Sequence, residues 1–286
     1  MSALLLAAVL GCSSCGTGGD DPLILYPADR MRLYLGAGTT RFDGNIVADG
    51  SERGITGVRE RQKLLFSFGS RVTRDSFVTL AVPQVTNVGA DDSRSGAGDP
   101  ALGFRYTVVQ QDFTEPLRPQ VQILAGVKLK AAASTYNAED QREFLDAFGT
   151  GFTTWRAGFD IWSAMTTVNY GVAYNMVYAN PAVYGGETIK PGNAHSANVT
   201  VGGAFGPAGQ MRAVTGIVRN QKQQLTIDGA AVADSVSVQH NLFVTASWRP
   251  APLHEVRLTV VDEGRVLTNV NTTRGRSYTG AYILTL

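Results

Sequence analysis

Tyr278-Thr-Gly-Ala-Tyr-Ile-Leu-Thr-Leu286, the last nine residues of the chain, decide the fold. Tyr278, Gly280, Tyr282, Leu284 and Leu286 share one parity, and Thr279, Ala281, Ile283 and Thr285 share the other. In a strand of period two the first set lies on one face. That face is aromatic and aliphatic up to its final residue. A soluble protein seldom finishes on an apolar strand, because termini fray unless tied down. A membrane barrel closes its sheet with such a strand, and the closing strand faces lipid.

Composition narrows the field. The chain has 286 residues, 32 of them glycine, with 17% charged residues and a formal net charge of +1. The balanced charge gives no reason to expect a nucleic acid as partner. Beyond the N-terminus no stretch approaches the ~20 apolar residues that a spanning helix needs. A β-barrel escapes that test, since only alternate residues meet lipid. Ala3 to Gly11 is a compact apolar run followed by Cys12-Ser-Ser-Cys15 and a Gly/Asp-rich stretch to Asp21. It reads as an export signal over residues 1–19. A short periplasmic segment, 20–29, and a barrel domain, 30–286, then follow. Val9-Leu10-Gly11-Cys12 is similar to a lipoprotein processing site, which makes Cys12 a candidate for lipidation. The alternative is ordinary cleavage near Gly16–Gly19. Gly16 follows the Cys-x-x-Cys where a c-type haem site needs His, and two cysteines alone make a poor zinc site.

The body has a regular beat. Alternating runs occur near 30–40, 62–72, 76–86, 100–111, 119–130, 152–163, 167–178, 196–205, 211–220, 237–249, 254–262 and 277–286. Their lengths suit tilted membrane strands, which need roughly 9–11 residues. Connections after even strands are short, and those after odd strands (41–61, 87–99, 131–151, 179–195, 221–236, 263–276) are longer and rich in Gly, Asn, Asp and Ser. Strict long/short alternation is expected of an up-and-down barrel with tight periplasmic turns and long extracellular loops. The sequence thus predicts an all-β, closed antiparallel transmembrane barrel of about twelve strands in a Gram-negative outer membrane. Its surroundings would be lipid and lipopolysaccharide. Tyr106, Trp155, Tyr170, Tyr178, Trp248 and Tyr278 fall on the apolar parity, as interfacial girdles require.

Gly96-Ala-Gly-Asp-Pro-Ala-Leu-Gly-Phe-Arg-Tyr106, followed by Pro119-Gln-Val-Gln-Ile-Leu-Ala-Gly-Val-Lys-Leu129, resembles the outer-membrane barrel family named for phenol meta-cleavage pathways. Those proteins show a Gly-Asp-x-x-Leu-Gly-x-Arg-Tyr strand start and a Gly-Val-Lys-Leu-Pro-Thr-Gly strand end. Here Lys130-Ala131-Ala132 replaces the Pro-Thr-Gly, and Gly149-Thr-Gly151 fits the pattern later in the chain. The resemblance implies a barrel that passes small, often apolar molecules.

The residues offer little chemistry. His195, His240 and His254 are scattered along the beat, and His195 and Ser196, as neighbours, would point to opposite faces of a strand. No catalytic set, metal set or cofactor site emerges. Gly36-x-Gly38 follows a strand but opens no helix pattern, so it is not a dinucleotide fingerprint. Glu139, Asp140, Glu143 and Asp146 form an acidic cluster, read as a solvated loop with a short helix over Glu139–Phe148 and, less favoured, as a divalent-cation site. The inward parity is more informative. It holds Arg32, Arg71, Arg105, Gln122, Lys128, Lys130, Arg156, Asn169, Arg212 and Arg257, with Asp160 and Glu255 as the clear opposing charges. Arg105 and Arg156 are expected near mid-height. One sign of charge in a narrow passage favours counter-charged solutes. Twelve strands ~4.8 Å apart and tilted ~40° give a backbone diameter of roughly 24 Å. Two readings stay open: a channel for small apolar or anionic solutes, and a plugged barrel that serves as a scaffold or binds a partner.

Overall fold

The computed structural model describes residues 29–55, 57–111, 118–140, 142–164, 168–206 and 210–286. The export segment 1–19, Cys12 and residues 20–28 lie outside them. In chain order the strands are β1 (Met31–Ile46), β2 (Glu52–Arg53), β3 (Glu60–Arg71), β4 (Ser76–Val88), β5 (Ser93–Ala97), β6 (Ala101–Val109), β7 (Gln120–Lys128), β8 (Thr154–Ala164), β9 (Val168–Ala179), β10 (Ala182–Tyr184), β11 (Glu187–Lys190), β12 (Ala194–Phe205), β13 (Met211–Lys222), β14 (Thr226–Ile227), β15 (Ala230–Ala231), β16 (Ser237–Ala251), β17 (His254–Glu263) and β18 (Thr272–Thr285).

Twelve of these form the wall: β1, β3, β4, β6, β7, β8, β9, β12, β13, β16, β17 and β18, each antiparallel to its neighbours. β18 pairs back onto β1 from Arg32↔Thr285 to Ile46↔Thr272, so the sheet closes. Closure leaves the wall no open edge. It also pairs the wall's backbone groups inside the sheet, which hydrocarbon demands of any spanning structure. The terminal stretch 278–286 is the β18 side of this seam.

The burial pattern follows from period two. On β6, Leu102, Phe104, Tyr106 and Val108 are exposed, while Gly103, Arg105 and Thr107 are buried. The same division holds on β4 and β16. Exposed large apolar residues occur on nearly every wall strand, Leu64, Leu80, Ile123, Val172, Val199, Val244 and Leu258 among them, and the fully buried side chains are largely polar. In water such an exterior would be an aggregation hazard; in lipid it is the driving force for insertion. Tyr106, Tyr170, Trp248 and Tyr282 lie toward the short-turn rim, and Trp155 and Tyr178 face each other in register toward the long-loop rim. This is a transmembrane barrel of the outer-membrane type.

Three expectations are corrected. First, β1 and β18 run further outward than 30–40 and 277–286, to Ile46 and from Thr272. Charged residues interrupt the apolar rhythm there but pair with one another: Arg274 with Asp43 at 2.8 Å and with Glu52 at 2.5 Å, and Arg265 with Asp43. Second, the connections 180–193 and 223–236 are not plain loops. They pair into a small sheet in the order β10-β11-β14-β15 above the barrel. Third, residues 139, 140 and 142–148 form bends and turns, and among the described residues the fold has no helix. Asp140 accepts the backbone N–H groups of Arg142 and Glu143 at 3.0 and 3.2 Å, and Asp146 accepts that of Glu139 at 2.6 Å. Carboxylates that capture nearby backbone donors compete with a helix. These bonds, that of the Arg142 N–H first, hold the Asp140 carboxyl below its ordinary range.

Candidate functional site in the barrel lumen

The outer half of the lumen encloses a cavity of about 340 Å³. That lies in the range of small-molecule sites. Its roof comes from the connection 129–153: Tyr136, Phe148, Gly149, Thr150 and Phe152. Tyr136, Phe152 and Tyr184 pack ring on ring, with centroids 5.3 to 5.8 Å apart. Ile189, Leu225 and Ala179 join this cluster, which ties three outer loops together. Burial first, and Tyr184 second, raise the Tyr136 phenol above its ordinary pKa.

One carboxylate organises the roof. Asp99 is 2% exposed, and it accepts the backbone N–H groups of Ala131 at 3.1 Å, Ala132 at 3.0 Å and Thr150 at 2.7 Å, together with the Thr150 hydroxyl at 3.0 Å. A Cβ on Gly149 would lie 2.5 Å from Asp99 Oδ1, and Gly151 takes φ +81°. The Gly-Asp, Lys-Ala-Ala and Gly-Thr-Gly segments singled out in the sequence therefore meet at one buried carboxylate. Sequence reading quoted these segments without giving Asp99 a role; its spacing from Gly149 was the only available signal.

The cavity walls are cationic. Arg61, Lys63, Lys128, Arg156 and Lys222 line it, against two acids, Asp99 and Glu263. Asp99 is engaged by the loops, and Glu263 accepts the Ser277 hydroxyl. Parity assignment included Lys128 and Arg156. It missed Lys63, two strand steps from Leu65 and on the same parity as Arg71, and it began β3 too late to include Arg61 and ended β13 too early to reach Lys222. Arg156 lies nearer the outer rim than mid-height, because β8 begins only at Thr154 after the left-handed Gly151. Lys130 lies beyond the end of β7 in the outer connection, with Nζ 4.3 Å from the Tyr184 ring centroid.

Beneath the cavity, side chains fill the barrel. Tyr34, Phe77, Leu124, Phe243 and Ile283 are each no more than 4% exposed. Arg105 forms an ion pair with Asp160, the two being 1% and 0% exposed. They reach across β7, where Gln122 stands opposite Asp160 and donates to the Thr107 hydroxyl at 3.0 Å. The charge of Arg105 is thus balanced inside the wall. The parity that made it look like an anion selector carried no information about its partner. Nearer the short-turn rim, Arg32 pairs with Asp29 at 2.8 Å and Arg71 donates to the Asp29 carbonyl at 2.9 Å. Arg257 pairs with Glu255 at 2.7 Å and Arg249 with the same carboxylate at 3.3 Å. Asn169 and Arg212 are half-buried close to the same rim, on β9 and β13.

The histidines do not converge. His195, expected in a loop, begins β12 and meets the Tyr174 hydroxyl at 2.7 Å through Nδ1, while Ser196 is buried on the opposite face. His254 meets Tyr282 near the other rim. Among the described residues no group of three or more His, Cys, Asp or Glu is placed to hold a metal ion.

Comparison with known proteins places this geometry. An outer-membrane channel from Pseudomonas putida F1 has the same fold, with a TM-score of 0.72 at 10% identity over 92% of this chain and 97% of that one. The NanC porin follows at a TM-score of 0.50 and 10% identity, over 89% of this chain and 100% of its own. At such identities the likeness is one of fold. No family model matches the sequence, and no curated protein does.

Proposed function

We propose that the chain is an outer-membrane channel for small solutes, with a preference for anions. The cavity carries this reading: five cationic side chains converge from four wall strands on one volume with two acids, one of them engaged by the loops. Low-dielectric walls of one sign concentrate field lines and raise the local counter-charge. The likeness in fold to proteins described as channels and porins supports it. So does the resemblance of residues 96–130 to the phenol meta-cleavage barrel family, which adds small apolar molecules to the candidate solutes. Residues 1–19 act as the export leader in this reading, and mass spectrometry of the N-terminus of native membrane-extracted protein checks both the cleavage and any acyl group on Cys12.

Planar-bilayer recording in a salt gradient tests the proposal. Replacing Lys128 and Arg156 with Gln should move the reversal potential toward the cation side. An open channel with an unchanged reversal potential removes the anion preference. The packed inner half of the lumen favours a second reading, a plugged barrel whose outer loops bind a partner. That reading predicts no discrete conductance from pure protein.

A further inference from the structure

We propose that the β13 wall of the cavity, at Asn220 and Lys222, is a recognition site for a small carboxylate with an apolar body. This rests on the reading of the cavity as part of a solute pathway. Asn220 and Lys222 are two residues apart, share the inward face and both line the cavity. Asn220 is 9% exposed, and among the described residues neither its amide nitrogen nor its amide oxygen has a hydrogen-bond partner. Gln239, opposite it on β16, donates instead to the Thr273 carbonyl at 3.2 Å. On β12, diagonal to Asn220, Asn198 is 3% exposed and its amide likewise has no partner at either atom. Buried polar groups are nearly always bonded, and a cluster of exceptions needs an explanation. A fold gains nothing from two amides left unsatisfied on neighbouring strands, where leucine would pack.

The chemistry of the gap defines the ligand. An amide N–H and an ammonium on one face can donate to the two oxygens of one carboxylate, and charge-assisted bonds are the strong ones. The remaining lining cations, Arg61, Lys63, Lys128 and Arg156, hold the surrounding potential positive. Glu263 also faces the cavity, with Arg61 within electrostatic reach of it. The same cavity is also lined by Phe148, Phe152, Phe243, Pro83 and Val85. A bare inorganic anion would leave that apolar surface uncovered, and a neutral hydrocarbon would leave the ammonium and amides unanswered. An amphipathic organic anion satisfies both.

The test uses the full barrel in detergent and isothermal titration with benzoate, with benzamide and acetate as controls. Benzoate should bind saturably and at least tenfold tighter than either control. Lys222→Met and Asn220→Leu should each weaken benzoate at least tenfold, and Asn220→Asp further still, while the heat-modifiable gel shift of a folded barrel is kept. If Lys222→Met loses that shift, Lys222→Gln replaces it. Benzamide binding as tightly as benzoate, variants binding benzoate like the parent, or no benzoate binding at all would each overturn the site. Benzoate flux into proteoliposomes separates this from the channel proposal. Binding without flux removes the channel and keeps the site; flux indifferent to both substitutions keeps the channel and removes the site.

Discussion

Asp99→Ala should open the roof of the lumen without unfolding the barrel. The carboxylate accepts three backbone N–H groups and one hydroxyl from residues more than thirty positions away in sequence. A hydrogen bond to a charged group contributes about 1.5–3 kcal/mol when its partner cannot turn to water. Ala131 is exposed and Ala132 half-buried, so water replaces part of the loss at those two amides. Taking about 1 kcal/mol for each backbone donor gives about 3 kcal/mol, or roughly a hundredfold in the local opening equilibrium. The wall ladders do not pass through Asp99, so the cost falls on the connection 129–153 and not on the sheet. Hydrogen exchange read by mass spectrometry measures it. Peptides containing Ala131, Ala132 and Thr150 should exchange about a hundredfold faster, and peptides from β16 and β17 should not change. Asp99→Asn sharpens the test. Oδ1 serves Ala131 and Ala132 and Oδ2 serves Thr150, so an amide keeps one group of donors and presents N–H to the other. One of the two segments should lose protection while the other keeps most of its own. Wild-type exchange at all three amides in Asp99→Ala would refute the assignment of Asp99 as the organiser of the roof. Equal acceleration in the wall peptides would refute its local character.

Asp160→Ala leaves the Arg105 guanidinium in a site 1% exposed, and should cost about 3–5 kcal/mol in urea unfolding from lipid vesicles, whereas Arg105→Met combined with Asp160→Leu should recover most of it; a single-variant loss below ~1 kcal/mol would mean that the pair carries no structural weight. Leu258→Arg, at a position 61% exposed between Ala246 and Gly280 midway along β17, should cost about 2–4 kcal/mol in the same assay, and a neutral result would place that face in water. The turn at Asp140 should respond to acid with one sign only. Its folded pKa is depressed, so the bonds it accepts are fully present above the ordinary value of 3.8 and disappear as pH falls below it, and the Arg142 and Glu143 amide resonances should shift only in that lower window. Movement between pH 5 and 7 would show that another group controls the turn.

The exterior of this barrel was legible in the sequence, and the interior only in outline, for one physical reason. Which residues face lipid is decided strand by strand, since period two and an apolar solvent act on each run alone. Tyr278, Tyr282, Trp155 and Trp248 could therefore be assigned without knowing what lay beside them. The lumen is decided by register between strands, which no single run contains. Arg105 and Asp160 were both placed inward by parity, but they are 55 residues apart and meet only because β6, β7 and β8 align Thr107 with Gln122 and Gln122 with Asp160. The same holds for the small sheet formed by β10, β11, β14 and β15, whose short strands show no periodicity of their own, and for Asp99, whose partners sit in other connections. The cations repeat the lesson. Arg61 and Lys63 on β3, Lys128 on β7, Arg156 on β8 and Lys222 on β13 are unremarkable in their own strands, and four of the five lie within two residues of a strand end. Strand ends are where alternation is hardest to read, because lipid no longer enforces it and charged residues can pair above the membrane. In this barrel the cations that line the outer cavity are concentrated where the membrane stops constraining the sequence, so a pattern imposed by lipid fixes the wall and leaves the charge of the lumen to the positions just beyond its reach.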